Sequence, residues 1–173
     1  MTIGQAKQIV RFLMGGELYN QYEEKLNTYL DMGQKRIACT TDFIDGEIRF
    51  VTEGVVELDL EEKIERFYRV RKVEGGRWER LSPTRIRLYG GDYRIFYNLY
   101  PHTITPHTDD NTELEISPMS QIALPYYAAS QVTIAEHDLR YHQIYSDQFA
   151  AVLENVAQAR CKGIHVHTFG GAV

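Results

Sequence analysis

Apolar residues recur along this chain with two different periods. After Thr2, a candidate N-cap, Ile9, Phe12 and Leu13 fall three and four apart and predict a short helix to about Met14. Gly15-Gly16 should end it, since paired glycines cost helix stability and admit left-handed backbone. Leu18, Tyr22, Leu26, Tyr29, Leu30, Gly33 and Ile37 then mark one face of a second helix, from about Glu17 to Ala38. Glu23, Glu24, Lys25, Asp31, Lys35 and Arg36 lie mostly on its other face.

From about Asp42 to Ile104 the period falls to two. Ile48 to Val51 and Val55 to Leu58 read as short strands separated by Gly54. Phe67 to Val73 and Trp78 to Leu81 flank Gly75-Gly76, a hairpin signal, and the pattern repeats around Gly90-Gly91. Ile86 and Leu88 alternate with Arg85 and Arg87, and Tyr93, Ile95, Tyr97 and Leu99 with Arg94, Phe96 and Asn98. Alternation of this kind means one covered face and one wet face. A small antiparallel sheet of five or six strands is expected, with arginines on the open face.

Past a proline-containing linker, Pro101 to Asp110, Ser117-Pro118 opens a helix expected to run through Ile134 with a kink at Pro125. Tyr126 and Tyr127 on it read as packing residues rather than a stacking platform for bases. A last helix should run from Leu139 to about Ala159, with Leu139, Ile144, Tyr145, Phe149, Val152, Leu153 and Val156 as its stripe. The expected fold class is α+β: a helical bundle of N- and C-terminal helices, residues 1–41 and 111–160, with a small antiparallel β-sheet inserted at 42–110. Residues 161–173 lack a period and read as an extended tail.

Composition narrows the function. In 173 residues, 43% are hydrophobic and 25% charged, which excludes a disordered, collagen-like or simple coiled-coil chain. No apolar run reaches the ~20 residues that span a bilayer, and Met1 to Lys7 shows no charged stretch followed by an apolar one, so no secretory signal is expected. Cys39 and Cys161 are far apart, so reduced thiols are the default. No glycine-rich phosphate loop, Cys-x-x-Cys or His-Glu-x-x-His occurs. No serine has His and Asp partners at motif spacing, so no enzyme, metal or cofactor is expected. Cys161, His165 and His167 are metal-capable types, but on an unframed tail they read as solvent-exposed.

Charge is uneven. Between Arg66 and Arg94 stand nine basic and three acidic residues, a local charge of +6 that leaves −11 on the rest. Arg66, Arg69, Arg71, Lys72, Arg85, Arg87 and Arg94 form the candidate basic face, for subunit or DNA contact. On the open side of the sheet they read either as a solvated strand face with scattered ion pairs or as a contact surface, in which case changing Arg69, Arg71, Arg85 and Arg87 together to Glu would impair assembly more than folding.

Three stretches resemble head-to-tail connector (adaptor or neck) proteins of tailed bacteriophages. These are Tyr93 to Thr105, Ile122-Ala123-Leu124-Pro125-Tyr126-Tyr127-Ala128-Ala129 before a terminal helix at Tyr141 to Val156, and the opening helix ending Gln34-Lys35-Arg36-Ile37-Ala38. Gly15-Gly16 departs from the family pattern, and the basic strands match it poorly. The resemblance implies a non-enzymatic structural protein of the virion neck, assembled in the host bacterial cytoplasm. It implies a ring, commonly a dodecamer, below the portal protein and above a stopper or tail-tube-side protein, with genomic double-stranded DNA passing through and no membrane partner. The terminal segment, Ile164, His165, Val166, His167 and Phe169, would dock on a neighbour. Another neck or tail component (stopper, tail-completion or baseplate protein) and a nucleic-acid-binding module are the alternatives.

Overall fold

A computed structural model describes residues 1–168, with side chains through Ala159. The chain is α+β, with a small antiparallel sheet. It forms two units: Met1–Asp42 together with the chain from Thr103 onward, and Phe43–His102. The sequence had placed the second junction after residue 110.

In the first unit, α1 (Ile3–Met14) opens on a capping box in which Thr2 and Gln5 each accept the other's amide. It buries Ile3, Ala6 and Val10. The expected stripe faces the other way: Ile9 is 41% exposed and Phe12 is 89% exposed. Gly15, at φ 81°, separates α1 from α2 (Gly16–Thr40). α2 buries Tyr19, Leu26, Leu30, Gly33, Ile37 and Ala38.

It also buries Asn27, Gln34 and Asp42 just past its end, which periodicity alone did not flag. Each holds the irregular segment 103–117. Asn27 Nδ2 donates to the Thr105 carbonyl at 2.8 Å, and Gln34 Oε1 accepts from the Glu115 amide at 3.1 Å. Half-buried Asp31 accepts from the Ile104 amide at 2.8 Å, and Asp42 from the Ser117 amide. The N-terminal residues pin the same segment: the Ile3 amide donates to Thr112 and Gly4 to Asp110. Residues 103–110 therefore belong to the helical unit because their backbone is satisfied there.

Ser117 and Pro118 open α4 (Pro118–Gln121), after which the helical hydrogen bonding is interrupted at Ile122 and Ala123, both of which keep right-handed helical dihedrals. The helix resumes as α5 (Leu124–Ala135), with Pro125 in its first turn, so the expected interruption at this proline divides one helical stretch into two elements. That position needs no amide donor, whereas mid-helix the ring would clash with the preceding turn. Residues of α1, α2 and α5 share one apolar cluster with Phe149 of α6 (Leu139–Thr168), and Tyr127 packs on Phe149 at 5.2 Å. Helix thus occupies positions 161–168, where an extended tail was expected; residues 169–173 lie outside the described residues.

The second unit has four strands rather than five or six. They are β1 (Ile44–Asp59), β2 (Phe67–Gly75), β3 (Trp78–Arg80) and β4 (Arg85–Leu99), with a short helix α3 (Leu60–Lys63) capped by Asp59. β4 is central: β1 pairs along one edge, and β2 and β3 share the other. Neither double glycine makes a hairpin. Gly75-Gly76 interrupts a single edge between β2 and β3, and Gly90-Gly91 lies inside β4.

Both places require glycine. A Cβ on Gly75 (φ 120°) would sit 2.2 Å from the Asp92 carbonyl oxygen, and Gly90 and Gly91 have φ of 72° and 125°. Opposite them β1 bulges between Thr52 and Val55. The buried positions of β4 change phase across this point, from Ile86 and Leu88 to Tyr93 and Ile95. In β2, two bulges set the buried residues Phe67, Val70 and Val73 three apart.

The irregularity bends the sheet. Val70 pairs with Tyr97 and the β3 residue Arg80 with Ile86. Were β4 straight, those partners would lie about 36 Å apart at ~3.3 Å per residue. Yet Arg80 Nη2 donates to the Val70 carbonyl at 3.0 Å. β4 doubles over at its glycines, and the rolled sheet encloses a second core of Leu58, Leu60, Ile64, Phe67, Val70, Ile86, Leu88, Tyr93 and Ile95. The fully buried Tyr93 locks the bend. Its hydroxyl donates to the Arg77 carbonyl at 2.7 Å and accepts from the Tyr89 amide at 3.2 Å.

Gly33 tests the helical packing, because a Cβ there would lie 2.6 Å from Leu124 Cδ1 and 2.7 Å from Tyr127 Cδ1 on α5. Gly33→Ala is expected to lower unfolding stability by about 1–3 kcal/mol in urea titration despite alanine's better helix propensity. A stabilised variant would mean that α2 and α5 do not approach this closely.

Candidate functional site

The candidate basic residues bring their unit no net positive charge. Residues 43–102 hold eleven Lys or Arg and eleven Asp or Glu, so this unit is neutral and the net charge of −5 lies on the rest. The +6 segment is balanced by carboxylates that β1 contributes from outside it. Arg85 bonds Asp59 at 2.7 Å, Arg87 bonds Glu57 at 2.6 Å, and Arg94 bonds Glu47 at 2.8 Å. Arg71 bonds Asp45 at 2.9 Å and Lys72 bonds Glu74 at 2.5 Å. Arg49 and Arg94 stand directly opposite in the register, and each turns to a diagonal acid, Asp92 and Glu47 respectively. Arg66 adopts φ 61° and donates through Nη1 to the Tyr100 carbonyl at 3.2 Å. Of the two readings of this face, the ion-paired one holds for Arg71, Lys72, Arg85, Arg87 and Arg94, each of which bonds a carboxylate of the same unit.

Three arginines depart from this pattern. Among the described residues, Arg69, Arg77 and Arg80 have no carboxylate within ion-pair distance; Arg69 and Arg80 bond neutral acceptors and Arg77 lies over an aromatic ring. Arg69 Nε donates at 3.1 Å to Oδ1 of the fully buried Asn98, whose Nδ2 donates to Asp45 at 2.8 Å. The Arg69 guanidinium lies over Phe43, 4.5 Å from the ring centre, and near Tyr68. Arg77 lies over Tyr89 at 4.6 Å. Arg69, Val70 and Arg71 from one half of the bent sheet, with Arg80 and Pro83 from the other, line a hollow of about 470 Å3. Arg71 is there because it is the extra residue of the second β2 bulge, between Val70 and Lys72. Sequence reading counted Arg80 among the basic residues without assigning it to a face. Only the fold in β4 carries it to β2.

The helical unit carries the second surface. Leu13, Met14, Leu18, Thr133, Glu136, Asp138, Tyr141 and Tyr145 line a hollow of about 440 Å3. Tyr145 spans it, donating to the Leu13 carbonyl at 2.7 Å, and Tyr22 donates to Glu136 at 2.5 Å. Burial raises the Tyr145 phenol above its usual range, and the bond to Glu136 raises that of Tyr22. Large apolar side chains stay uncovered on these elements: Phe12, and on α6 Leu139 (69% exposed), Tyr141 and Ile144. Ile164, His165, Val166 and His167 stand on the last turns of α6, where only backbone is described, and Phe169 lies outside the described residues.

Among the described residues, no cluster of three His, Cys, Asp or Glu has the arrangement of a metal site, and no helix is long and apolar enough to cross a membrane. Neither a protein-family model nor a curated protein matches this chain.

The ion-paired lattice has a pH signature. Bonds from Arg85, Arg49 and Lys72 hold Asp59, Asp92 and Glu74 below the ordinary carboxylate range. Their contribution is therefore complete above the unfolded pKa of about 4 and is lost as pH falls below it. Thermal melts should be level from neutral pH to about 5 and decline below about 4, with a smaller decline at high salt. Arg85→Glu with Arg87→Glu, set against Asp59 and Glu57, should lower the melting temperature. An unchanged melt would mean that the pairs add nothing to folding.

Proposed function

We propose that this chain is a structural virion protein, a head-to-tail connector that forms a ring below the portal and continues the DNA channel toward the tail. In this reading the helices of both chain ends make the bundle that forms the body of each subunit. The observation that carries it is the second apolar face of α1, Ile9 and Phe12, left in solvent beside a helix whose other face is already buried. A contiguous apolar face left exposed on a folded unit is a candidate surface for a partner to cover. Leu139, Tyr141 and Ile144 on α6 supply more of the same. A closed ring needs two different patches per subunit that meet head to side. A −5 helical unit with uncovered apolar positions, and a neutral sheet unit with a local arginine excess, offer such unlike surfaces. The sequence resemblance to connectors supplies the remaining support.

The test is to image the chain mixed with its cognate portal protein. Rings seated on the portal are expected for the native chain. Phe12→Ser with Leu139→Ser should reduce ring formation sharply while changing stability by less than about 0.5 kcal/mol, since neither side chain is buried in the subunit. A native chain that stays monomeric at high concentration with portal present, or a double variant that assembles normally, would defeat the reading.

A further inference from the structure

We infer that the hollow bounded by Arg69, Arg71 and Arg80 is a binding site for a phosphate group, carried either by a nucleic-acid backbone or by a free polyphosphate. The inference rests on the arginine geometry and not on the ring reading, so either can fail alone.

Elsewhere on this sheet each ion-paired arginine meets at least one carboxylate from a neighbouring strand. At the hollow, as at Arg77, arginines without a carboxylate occur, and here two of them stand beside a third. Arg69 and Arg80 are tethered by neutral acceptors, the Asn98 side chain and the Val70 carbonyl, and only Arg71 has an acid, Asp45. Each tether uses one nitrogen of a guanidinium that carries five N–H donors, so most of the donors on three fixed forks are left for a ligand. The aromatic rings of Phe43 and Tyr68 further restrain Arg69. Restraint before binding removes part of the ordering cost that a loose arginine bears.

The local excess is two positive charges around one hollow of about 470 Å3. A carboxylate has two oxygens and one charge, and the sheet already answers single arginines with carboxylates. A tetrahedral phosphate offers oxygens in several directions, which suits forks arriving from two strands. Val70 and Pro83 complete the lining of the hollow between the arginines. The two β2 bulges and the fold of β4 are what assemble it, and bulges recur where a strand must re-aim a side chain.

The chain's single tryptophan, Trp78, lies two residues from Arg80 and gives a fluorescence readout. The full chain is titrated at low salt with pyrophosphate and, separately, with a short DNA duplex. Saturable binding of at least one is expected. Arg80→Gln, an exposed position, should weaken it by roughly tenfold or more, as loss of a charge-assisted bond predicts. Arg69→Gln should act in the same direction. Arg94→Gln, whose partner is Glu47, should leave it unchanged. Heteronuclear NMR of the arginine Nε–H groups confirms that each variant is folded and locates the ligand. Binding of both probes assigns the phosphate to nucleic acid, and binding of pyrophosphate alone assigns it to a small polyphosphate. No saturable binding of either probe, or equal weakening by Arg94→Gln, would overturn the proposal.

Discussion

A segment without regular structure can be buried only if its amides and carbonyls find partners, and in this protein α2 provides them. Asn27, Asp31, Gln34 and Asp42 recur at helical spacing down one side of α2 and its end, and each meets the backbone of residues 103–117. Met1 adds a donor through its α-amino group to Gln121, while Gln121 Nε2 donates to the Leu114 and Ile116 carbonyls. Leu114 and Ile116 can then enter the helical core, since the polar backbone that accompanies them is answered. Without these bonds α1 would lose the strand-like pairing of Thr2 with Glu113, and α5 would start from an unanchored loop.

The sheet unit solves a different problem, a small core with few strands. A flat sheet of four strands and no covering layer would leave its apolar face wet. Bending β4 at Gly90-Gly91 turns the two halves toward each other, so that Ile86, Leu88, Tyr93 and Ile95 lose all contact with water. The glycines permit the backbone turn, and Tyr93 fixes it through bonds to the chain on either side. The arginine hollow is a product of the same bend, since its residues come from strand segments that a straight sheet would hold far apart.

Much of the fold was legible from period and punctuation. The helical stretches, the change to alternation near Asp42 and the Thr2 cap all depend on interactions within a few residues, and these leave a local trace. Errors fell where non-local contacts decide. The double glycines looked like turns because glycine permits turns and mid-strand bends alike. The face of α1 was misread because Ile3, Ala6 and Val10 repeat as well as Ile9, Phe12 and Leu13 do, and packing against α2 and α5 selects between them. The basic face was overcounted because a segment sum omits strands that pair from elsewhere in the chain.

The sequence alone settled where helical and alternating stretches lie, the division into a helical part from both chain ends and a β-rich middle, and the overall acidity, but not the strand count or the turns. Those follow from side-chain spacing and composition, which are properties of the chain before it folds. Tertiary structure decided which arginines keep an unanswered charge, which apolar stripe of α1 stays in water, and how an irregular linker becomes part of a core. Each depends on distances between residues remote in sequence, and Coulomb attraction, hydrogen bonding and burial act on distance in space.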